Sequence, residues 1–386
     1  MKPVDVTREY SEIEAKSLFR DGTLVDPWFL GRFGANLYRG CEHGCAYCDG
    51  RAERYYVEGD FERDIVVKRN AIELAKRELK KSREPGFLFL GGGVSDSYQP
   101  AEAKYSLARA ILEIALSERL SVHVLTKSAL VERDFDILSE IARHRRVIVS
   151  FSMHTTDETI RERLEPRAAS TSERLRLLSE ARARGMHGGI MAMPVLPGLS
   201  DSLSQIESLV HAAADAGAQF VCFGGLTLRP GRQKDFYNDL LSRYWPELLA
   251  GYDRAYSRGL PSGAPDPRFT QKLVRRYSEA LSKYGLPARI PRATFRGFVP
   301  IYTEAAVLLE HVEAGAALTG KQLDLARSGH VLAQWAHKRL VELGRRKGFS
   351  YRDVEAEFLS RLAEGSLCQI EGVKPEAAIE LKRLGF

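Results

Sequence analysis

The chain has few cysteines and no long apolar run. Only 5 of its 386 residues are cysteine, and 3 are tryptophan. No run of 18 apolar residues occurs, so no segment predicts a transmembrane helix. The opening segment MKPVDVTREYSEIEAK also has no apolar stretch of the kind a signal peptide needs. We therefore expect a cytoplasmic protein without a membrane partner, in a reducing compartment where disulfides explain five cysteines poorly.

The overall composition is that of a globular protein. Hydrophobic residues make up 44% of the chain and charged residues 28%. The length allows two domains, or one barrel with an appendage. The net charge of +6 suits a polyanionic partner such as nucleic acid, although many basic proteins bind none.

Short β-branched or aromatic runs alternate with longer amphipathic segments, a pattern that predicts parallel strands joined by crossover helices. The six predicted strands are 35–40, 86–91, 121–126, 146–152, 187–194 and 219–225. This number of strands predicts an α/β fold, specifically an open (βα)6 partial TIM barrel with a helical C-terminal extension. In such folds the chemistry collects at the C-terminal ends of the strands.

The strand pattern stops after about residue 228. Residues 286–295 predict an extended segment, and residues 302–386 predict several helices. We therefore expect three parts: an N-terminal extension (1–34), the barrel with its closing segment (35–300) and a helical C-terminal domain (301–386).

Three of the five cysteines lie close together in RGCEHGCAYCDG (39–50). Cys41, Cys45 and Cys48 are spaced as C-x3-C-x2-C, and clustered thiolates select iron–sulfur clusters, zinc or copper(I). Zinc would need a fourth ligand, which His43 could supply, but structural zinc sites usually use two separated ligand pairs. A four-iron cluster held by three cysteines leaves one iron open for a cofactor or substrate.

This motif, with Tyr47 before its last cysteine, resembles the radical S-adenosylmethionine (SAM) superfamily. Further segments, in order along residues 26 to 300, resemble the branch around spore photoproduct lyase: DPWF (26–29), SDSYQPAE (95–102), LTKS (125–128), LEPRAAS (164–170), MPVLPGLSD (193–201) and LRPG (228–231). The resemblance implies a 4Fe-4S cluster, SAM, and a reductant such as flavodoxin or ferredoxin. It also implies reductive cleavage of SAM to a 5′-deoxyadenosyl radical, which takes a hydrogen atom from the substrate.

The resemblance further implies roles for individual residues. The cluster would be ligated by Cys41, Cys45 and Cys48. SAM would contact Tyr47, Gly91, Gly92, Gly93, Ser95, Asp96, Lys127 and Ser152. Asp96 would accept a hydrogen bond from the methionine ammonium, and an Asx turn that caps the next helix is a compatible alternative. Lys127 would face the methionine carboxylate, and Ser152 the ribose hydroxyls.

Two departures from the branch bear on the substrate. Spore photoproduct lyase carries a hydrogen-donating cysteine where this chain has Val94, and the usual aromatic after the third cysteine is Asp49 here. Repair of a thymine dimer is therefore disfavoured. Tyr98 or Cys222 would be the alternative hydrogen relay, although a lone cysteine among apolar neighbours is more often a core residue.

The sequence does not identify the substrate, and nucleic acid is one candidate. Residues 277–298 interleave arginines with aromatic side chains, which suits phosphate and base contacts, although a solvated segment closing the barrel is the commoner explanation. His154 and His187, at or beside strand ends, are either pocket residues or ordinary core histidines. Three hypotheses remain: a radical SAM enzyme with an unidentified substrate, a DNA or RNA repair or modification enzyme of the same branch, and a non-catalytic metal-stabilised nucleic-acid-binding protein.

Overall fold

The computed structural model of the chain describes residues 9–19, 24–55, 57, 59–79, 84–91, 94–312, 320–344 and 348–386. Strands in these ranges are β1 (Glu9–Ile13), β2 (Gly31–Gly34), β3 (Tyr38–Arg39), β4 (Asp64–Lys68), β5 (Phe87–Leu90), β6 (Ser121–Thr126), β7 (Val147–Ser152), β8 (His187–Val195) and β9 (Val221–Gly225). A six-stranded sheet has the spatial order β2-β5-β6-β7-β8-β9, and every pair in it is parallel. The predicted open partial barrel is therefore confirmed.

Helices join the strands of this sheet and continue beyond it. Between the strands lie α1 (Ala71–Leu79), α2 (Ala101–Tyr105), α3 (Leu107–Ser117), α4 (Phe135–Ala142), α5 (Glu158–Leu164), α6 (Thr171–Ala183) and α7 (Leu203–Asp215). After β9 follow α8 (Arg232–Tyr244), α9 (Leu249–Ala255), α10 (Pro267–Tyr284), α11 (Arg292–Phe295), α12 (Ile301–His311), α13 (Gly320–Leu343), α14 (Tyr351–Glu364) and α15 (Pro375–Arg383). Several of these helices begin at a residue whose side chain caps the helix N-terminus. Ser170, for example, accepts a hydrogen bond from the Glu173 N–H at the start of α6.

The first predicted strand, 35–40, is wrong in position. The barrel strand is β2, which ends at Gly34, whereas β3 pairs antiparallel with β4 in a separate sheet with β1. Both segments carry the apolar pattern of a strand, and this pattern does not say which partner a strand takes. A Cβ on Gly31 would lie 2.8 Å from the Phe89 Cβ, so glycine permits the close approach of β2 to β5.

The C-terminal helices α12 to α15 enclose an apolar cluster of their own, in which Leu332 and Phe358 are fully buried. Arg292 links this cluster to the barrel through an ion pair with Glu304 at 2.6 Å and a hydrogen bond to the Leu384 carbonyl. The division at residue 300 stays a prediction. Within the described ranges, no helix combines the length and hydropathy that a bilayer-spanning segment requires.

The arginine- and aromatic-rich segment 277–298 makes contacts with other parts of the protein. The guanidinium carbon of Arg289 lies 3.6 Å from the centre of the Trp28 ring. The Val221 N–H of β9 donates to the Pro287 carbonyl at 3.1 Å, which places the segment along the edge strand β9. This segment therefore covers an edge of the sheet.

His123 on β6 is a buried histidine that must stay neutral. Its Nδ1–H donates to the Phe29 carbonyl at 2.7 Å, and its Nε2 accepts from the Ser150 hydroxyl at 2.9 Å. Burial lowers the pKa of His123 to about 4. Because the unfolded value is about 6.5, the unfolded chain binds more protons between these two pH values. The free energy of unfolding therefore falls as pH drops through 6.5 and levels off below about 4.

We expect His123→Gln to lose part of this acid sensitivity. Between pH 7.5 and 4.5, the titration of His123 should cost the wild type about 2.5 kcal/mol that the variant does not lose. Urea unfolding at both pH values measures the difference. His211→Gln is the matched control, since the His211 side chain is 58% exposed. Equal acid sensitivity of the wild type and His123→Gln would contradict the prediction.

Candidate active site

A cavity of about 280 Å³ opens at the C-terminal ends of the barrel strands, where the fold class predicts the chemistry to lie. Eight residues predicted from the sequence line it: Cys41, Cys45, Tyr47, Cys48, Ser95, Asp96, Lys127 and Ser152. The structure therefore brings together residues that are more than 100 positions apart in the chain.

Three of the predicted site residues that the structure describes, Gly91, Tyr98 and Cys222, do not line this cavity. Gly91 follows β5, where an added Cβ would lie 2.5 Å from the Phe89 ring, so packing requires glycine there. Gly92 and Gly93 lie outside the described residues. Tyr98 is fully buried in the main apolar core, and Cys222 is buried in another apolar cluster. Because neither side chain reaches the cavity, the predicted hydrogen-relay roles of Tyr98 and Cys222 are not supported.

The cysteine loop (41–48) is held in place by backbone contacts. Gly44 has a φ of +65°, a conformation that favours glycine. Arg51 donates to the Cys45 carbonyl at 2.9 Å and to the Gly44 carbonyl at 3.0 Å. The Ala46 N–H donates to the Leu164 carbonyl at 2.8 Å. These bonds fix the loop through its main chain and leave the cysteine side chains free to bind a metal centre.

The three thiols fit a 4Fe-4S cluster. None of them is in a disulfide, and all three face one cavity. Burial raises the pKa of each thiol, that of Cys45 to about 12, so metal binding must displace their protons. His43 also lines the cavity, and its Nδ1 has no hydrogen-bond partner. Among the described residues no three His, Cys, Asp or Glu side chains converge on a single-ion site.

Lys127 and Ser152 form a polar pair on the cavity wall. The Lys127 ammonium donates to the Ser152 hydroxyl at 2.8 Å, and that hydroxyl donates to the Met193 carbonyl at 3.1 Å. Burial opposes the charge of Lys127, but Cys45 and Glu165 outweigh it, so the pKa of Lys127 lies above its ordinary value. A fixed cation beside the cysteines can pair with the carboxylate of a bound amino acid.

The Asp96 carboxylate is firmly held. It accepts from the Thr126 hydroxyl at 2.8 Å, the Lys127 N–H at 2.8 Å and the Tyr98 N–H at 2.8 Å. The last of these bonds is the Asx turn that the sequence allowed as an alternative role. Ser95 donates to the Gly40 carbonyl at 3.0 Å and so ties the same turn to the start of the cysteine loop.

Sequence reasoning missed the group that holds Tyr47. The Tyr47 hydroxyl donates to the buried carboxylate of Glu165. Arg174 donates to the same carboxylate at 2.5 Å and to the Ser152 carbonyl at 2.7 Å, and the His154 Nδ1 lies 3.2 Å from Glu165. Burial alone would raise the pKa of Glu165, but Arg174 and His154 hold it well below its usual range. The network therefore joins the cysteine loop to the end of β7.

Glu165 carried a weak signal in the sequence, since it belongs to the segment LEPRAAS, but nothing there assigned it a partner. His154 is a member of this buried network and not a residue of the cavity wall. His187 lies near the start of β8, away from the cavity, where its Nδ1 lies 3.0 Å from the Gln219 side-chain oxygen.

Asp49, which departs from the branch pattern, forms an ion pair at the cavity mouth. Its carboxylate lies 2.7 Å from the Arg229 Nε and accepts from the Tyr55 hydroxyl at 2.6 Å. Thr227, from the same loop as Arg229, lines the cavity. The ion pair therefore ties the cysteine loop to the loop after β9. Val94, the other position at which the chain departs from the branch pattern, also lines the cavity.

Comparison with known proteins agrees with this geometry. The family model of the radical SAM superfamily matches residues 35–213. An uncharacterized protein of Mycobacterium tuberculosis is 32% identical over 281 residues, which cover 70% of this chain and 80% of that protein. An uncharacterized protein of Methanocaldococcus jannaschii is 27% identical over 217 residues, which cover 56% of this chain and 77% of that protein. Spore photoproduct lyase complexed with dinucleoside spore photoproduct matches with a TM-score of 0.53 and 14% identity over 72% of this chain and 80% of that one.

An open parallel barrel with three clustered thiols at the C-terminal ends of its strands defines an iron–sulfur enzyme. The chain belongs to the radical SAM superfamily, and its cofactors are a 4Fe-4S cluster and SAM. The predicted superfamily and cofactors are confirmed, and the fold is shared with spore photoproduct lyase. The hypothesis of a non-catalytic nucleic-acid-binding protein is wrong.

Proposed function

We propose that the chain cleaves SAM reductively and takes a hydrogen atom from an organic substrate, in a lyase-type or other radical transformation. Cys41, Cys45 and Cys48 hold the cluster. The observation that carries the proposal is the lining of one cavity by three unpaired thiols and the Lys127–Ser152 pair. This arrangement offers a site for a cluster and, beside it, polar groups for an amino acid and a ribose.

When bound, the cluster supplies the electron that breaks a carbon–sulfur bond of SAM, giving methionine and a 5′-deoxyadenosyl radical. The chain's own residues bind and orient the reactants. Lys127 pairs with the methionine carboxylate, and Ser152 meets the ribose hydroxyls. Leu125 and Met193 form apolar parts of the wall that keep water from the reacting atoms.

Anaerobic reconstitution tests the proposal. We expect about four irons per chain and formation of 5′-deoxyadenosine from SAM that depends on dithionite. A sample without dithionite is the control. Zinc binding without cleavage of SAM would contradict the proposal.

One observation favours a nucleic-acid substrate as a second candidate. Residues 229–284 hold 11 Lys and Arg against 6 Asp and Glu, a net charge of +5 out of +6 for the whole chain. This segment begins at the cavity mouth with Arg229. Helix α10 of this segment packs against the cavity wall. Gly225 lines the cavity, and a Cβ added to it would lie 3.6 Å from the ring of Phe269 on α10. A basic segment that starts at the opening suits a polyanion.

Two measurements decide between these candidates. Binding of DNA or RNA in a gel shift that weakens steeply as salt is added would support the nucleic-acid candidate. The absence of binding at low salt would contradict it. Deuterium transfer from a labelled candidate substrate into 5′-deoxyadenosine would identify the substrate class directly.

A further inference from the structure

We propose that Phe29 is a specificity-determining residue, whose ring receives an uncharged aromatic group of the substrate inside the cavity. The inference rests on the proposed function, because it concerns which part of the substrate lies near the 5′-deoxyadenosyl radical. Phe29 belongs to the segment DPWF (26–29), which precedes the first barrel strand β2.

The backbone next to Phe29 is strained. Leu30 has a φ of +57°, a left-handed conformation that leucine rarely adopts, and its side chain is fully buried. A residue keeps such a conformation only where the surrounding structure imposes it, and such residues collect at functional sites. The position of Phe29 is therefore imposed by contacts with the rest of the protein.

Two histidines from distant parts of the chain hold this backbone. The His123 Nδ1–H on β6 donates to the Phe29 carbonyl at 2.7 Å. The His311 Nε2–H on α12 donates to the Pro27 carbonyl, also at 2.7 Å. Both bonds are made to main-chain oxygens, so they fix the course of the backbone and leave the Phe29 ring available to the cavity.

The Phe29 ring lies between the apolar core and the cavity. Phe29 lines the cavity and stacks on Phe89, which does not line it. The two ring centres are 5.0 Å apart, with 18° between the ring planes. Three other cavity-lining side chains, Leu125, Met191 and Met193, pack in the same apolar cluster as Phe29. We call Phe29, Leu125, Met191 and Met193 the apolar wall. A further aromatic ring placed on it can continue the stack.

The charges around the cavity already have partners. The carboxylate and ammonium groups in its described lining are those of Asp49, Asp96 and Lys127. Asp49 pairs with Arg229, and Asp96 accepts three hydrogen bonds. Lys127 donates to Ser152 and, in the proposed function, faces the methionine carboxylate. A charged group pressed against the apolar wall would lose its water without gaining a partner, which is costly. The substrate group that lies there is therefore uncharged.

The test uses toluene, benzoate and benzylamine, which share an aromatic ring and differ in charge. The reconstituted protein carries isotope labels in its methionine methyl groups and is saturated with SAM. Of the five methionines, Met191 and Met193 line the cavity, whereas Met186 is buried in the main core. In nuclear magnetic resonance spectra, we expect toluene to shift the methyl signals of Met191 and Met193 and to leave that of Met186 unchanged. The two charged probes should bind at least about 10-fold more weakly.

A variant tests Phe29 itself. Phe29→Leu removes the ring and keeps an apolar side chain, so we expect the Kd for toluene to rise about 5-fold and that for methylcyclohexane to stay within about 2-fold. Phe33→Leu is the matched control. Phe33 on β2 is also half-buried, but it packs edge-on against Phe19 and does not line the cavity. Phe33→Leu should bind toluene like the wild type.

Several results would overturn the proposal. They are unchanged Met191 and Met193 signals, equal binding of a charged probe and toluene, and wild-type binding of toluene by Phe29→Leu. Toluene should also bind equally well before and after saturation with SAM, because displacement would mean that the apolar wall holds the adenine of SAM instead. If Phe29→Leu does not fold, the three probes on the wild type still decide the question.

The outcomes also separate this inference from the proposed function. If the wild type forms no 5′-deoxyadenosine with dithionite, the proposed function fails. If SAM is cleaved and toluene leaves the Met191 and Met193 signals unchanged, only the role of Phe29 is wrong.

Discussion

Cys48→Ala is expected to lose the cluster and about 1000-fold or more of SAM cleavage. Loss of a group that only supports a metal ligand typically costs 10- to 100-fold in metal affinity or activity, so loss of a direct thiolate costs more. Two remaining thiols cannot hold a cluster that already has one open iron. The side chain of Cys48 is half-buried, so the variant should fold. Iron content, visible absorbance and 5′-deoxyadenosine yield measure the effect.

The two cysteines outside the loop are the matched controls. Cys368 is exposed in the C-terminal helical region, and Cys222 is buried in an apolar cluster with Phe220 and Ile290. Cys368→Ala and Cys222→Ala should both keep the cluster and SAM cleavage, although Cys222→Ala should cost about 1 kcal/mol of stability. Full iron binding by Cys48→Ala would show that the cluster lies elsewhere. Loss of turnover without loss of iron in Cys222→Ala would restore its role as a hydrogen relay.

Glu165→Gln is expected to lower the free energy of unfolding by about 3–5 kcal/mol. The change removes the negative partner of Arg174, and both side chains are fully buried, so a charge is left without compensation. Urea unfolding measures the loss. Glu162→Gln on α5, the helix that ends just before Glu165, is the control. Its side chain is 69% exposed, and the expected change is within about 0.5 kcal/mol.

A double variant separates the stabilising role of this network from its positioning role. Replacing Glu165 and Arg174 together by Met removes both charges and should recover much of the stability, because buried ion pairs are often replaceable by apolar side chains. Methionine at position 165 would leave the Tyr47 hydroxyl without its acceptor, so we expect the double variant to have a dissociation constant for SAM raised about 10-fold. If the double variant binds SAM like the wild type, the cysteine loop alone positions Tyr47.

Much of the barrel could be predicted because its signals are local. Each strand from β5 to β9 is a short apolar run followed by an amphipathic helix, and helix caps such as Ser170 lie within three residues of their partners. The first barrel strand could not be placed, because β2 and β3 are adjacent short segments that pair in different sheets. Choosing between them requires the partner strands β5 and β4, which lie far along the chain.

The candidate site likewise combines local features that the sequence shows with distant contacts that it does not show. The spacing of Cys41, Cys45 and Cys48 is a local property, and it sufficed to identify the superfamily and its cofactors. The contacts that hold the loop are distant, since the Tyr47–Glu165 bond spans 118 positions and the Arg229–Asp49 pair spans 180. A lone glutamate or arginine in the sequence carries no mark of such a partner.

The sequence by itself thus determined the metal-binding motif, the strand and helix alternation and the class of chemistry, because each depends on residues that are neighbours in the chain. Only the tertiary structure decided that Tyr98 and Cys222 lie away from the cavity and that Glu165 and Arg174 hold Tyr47. Those facts depend on which segments pack together, and packing is set by the burial of the whole chain at once.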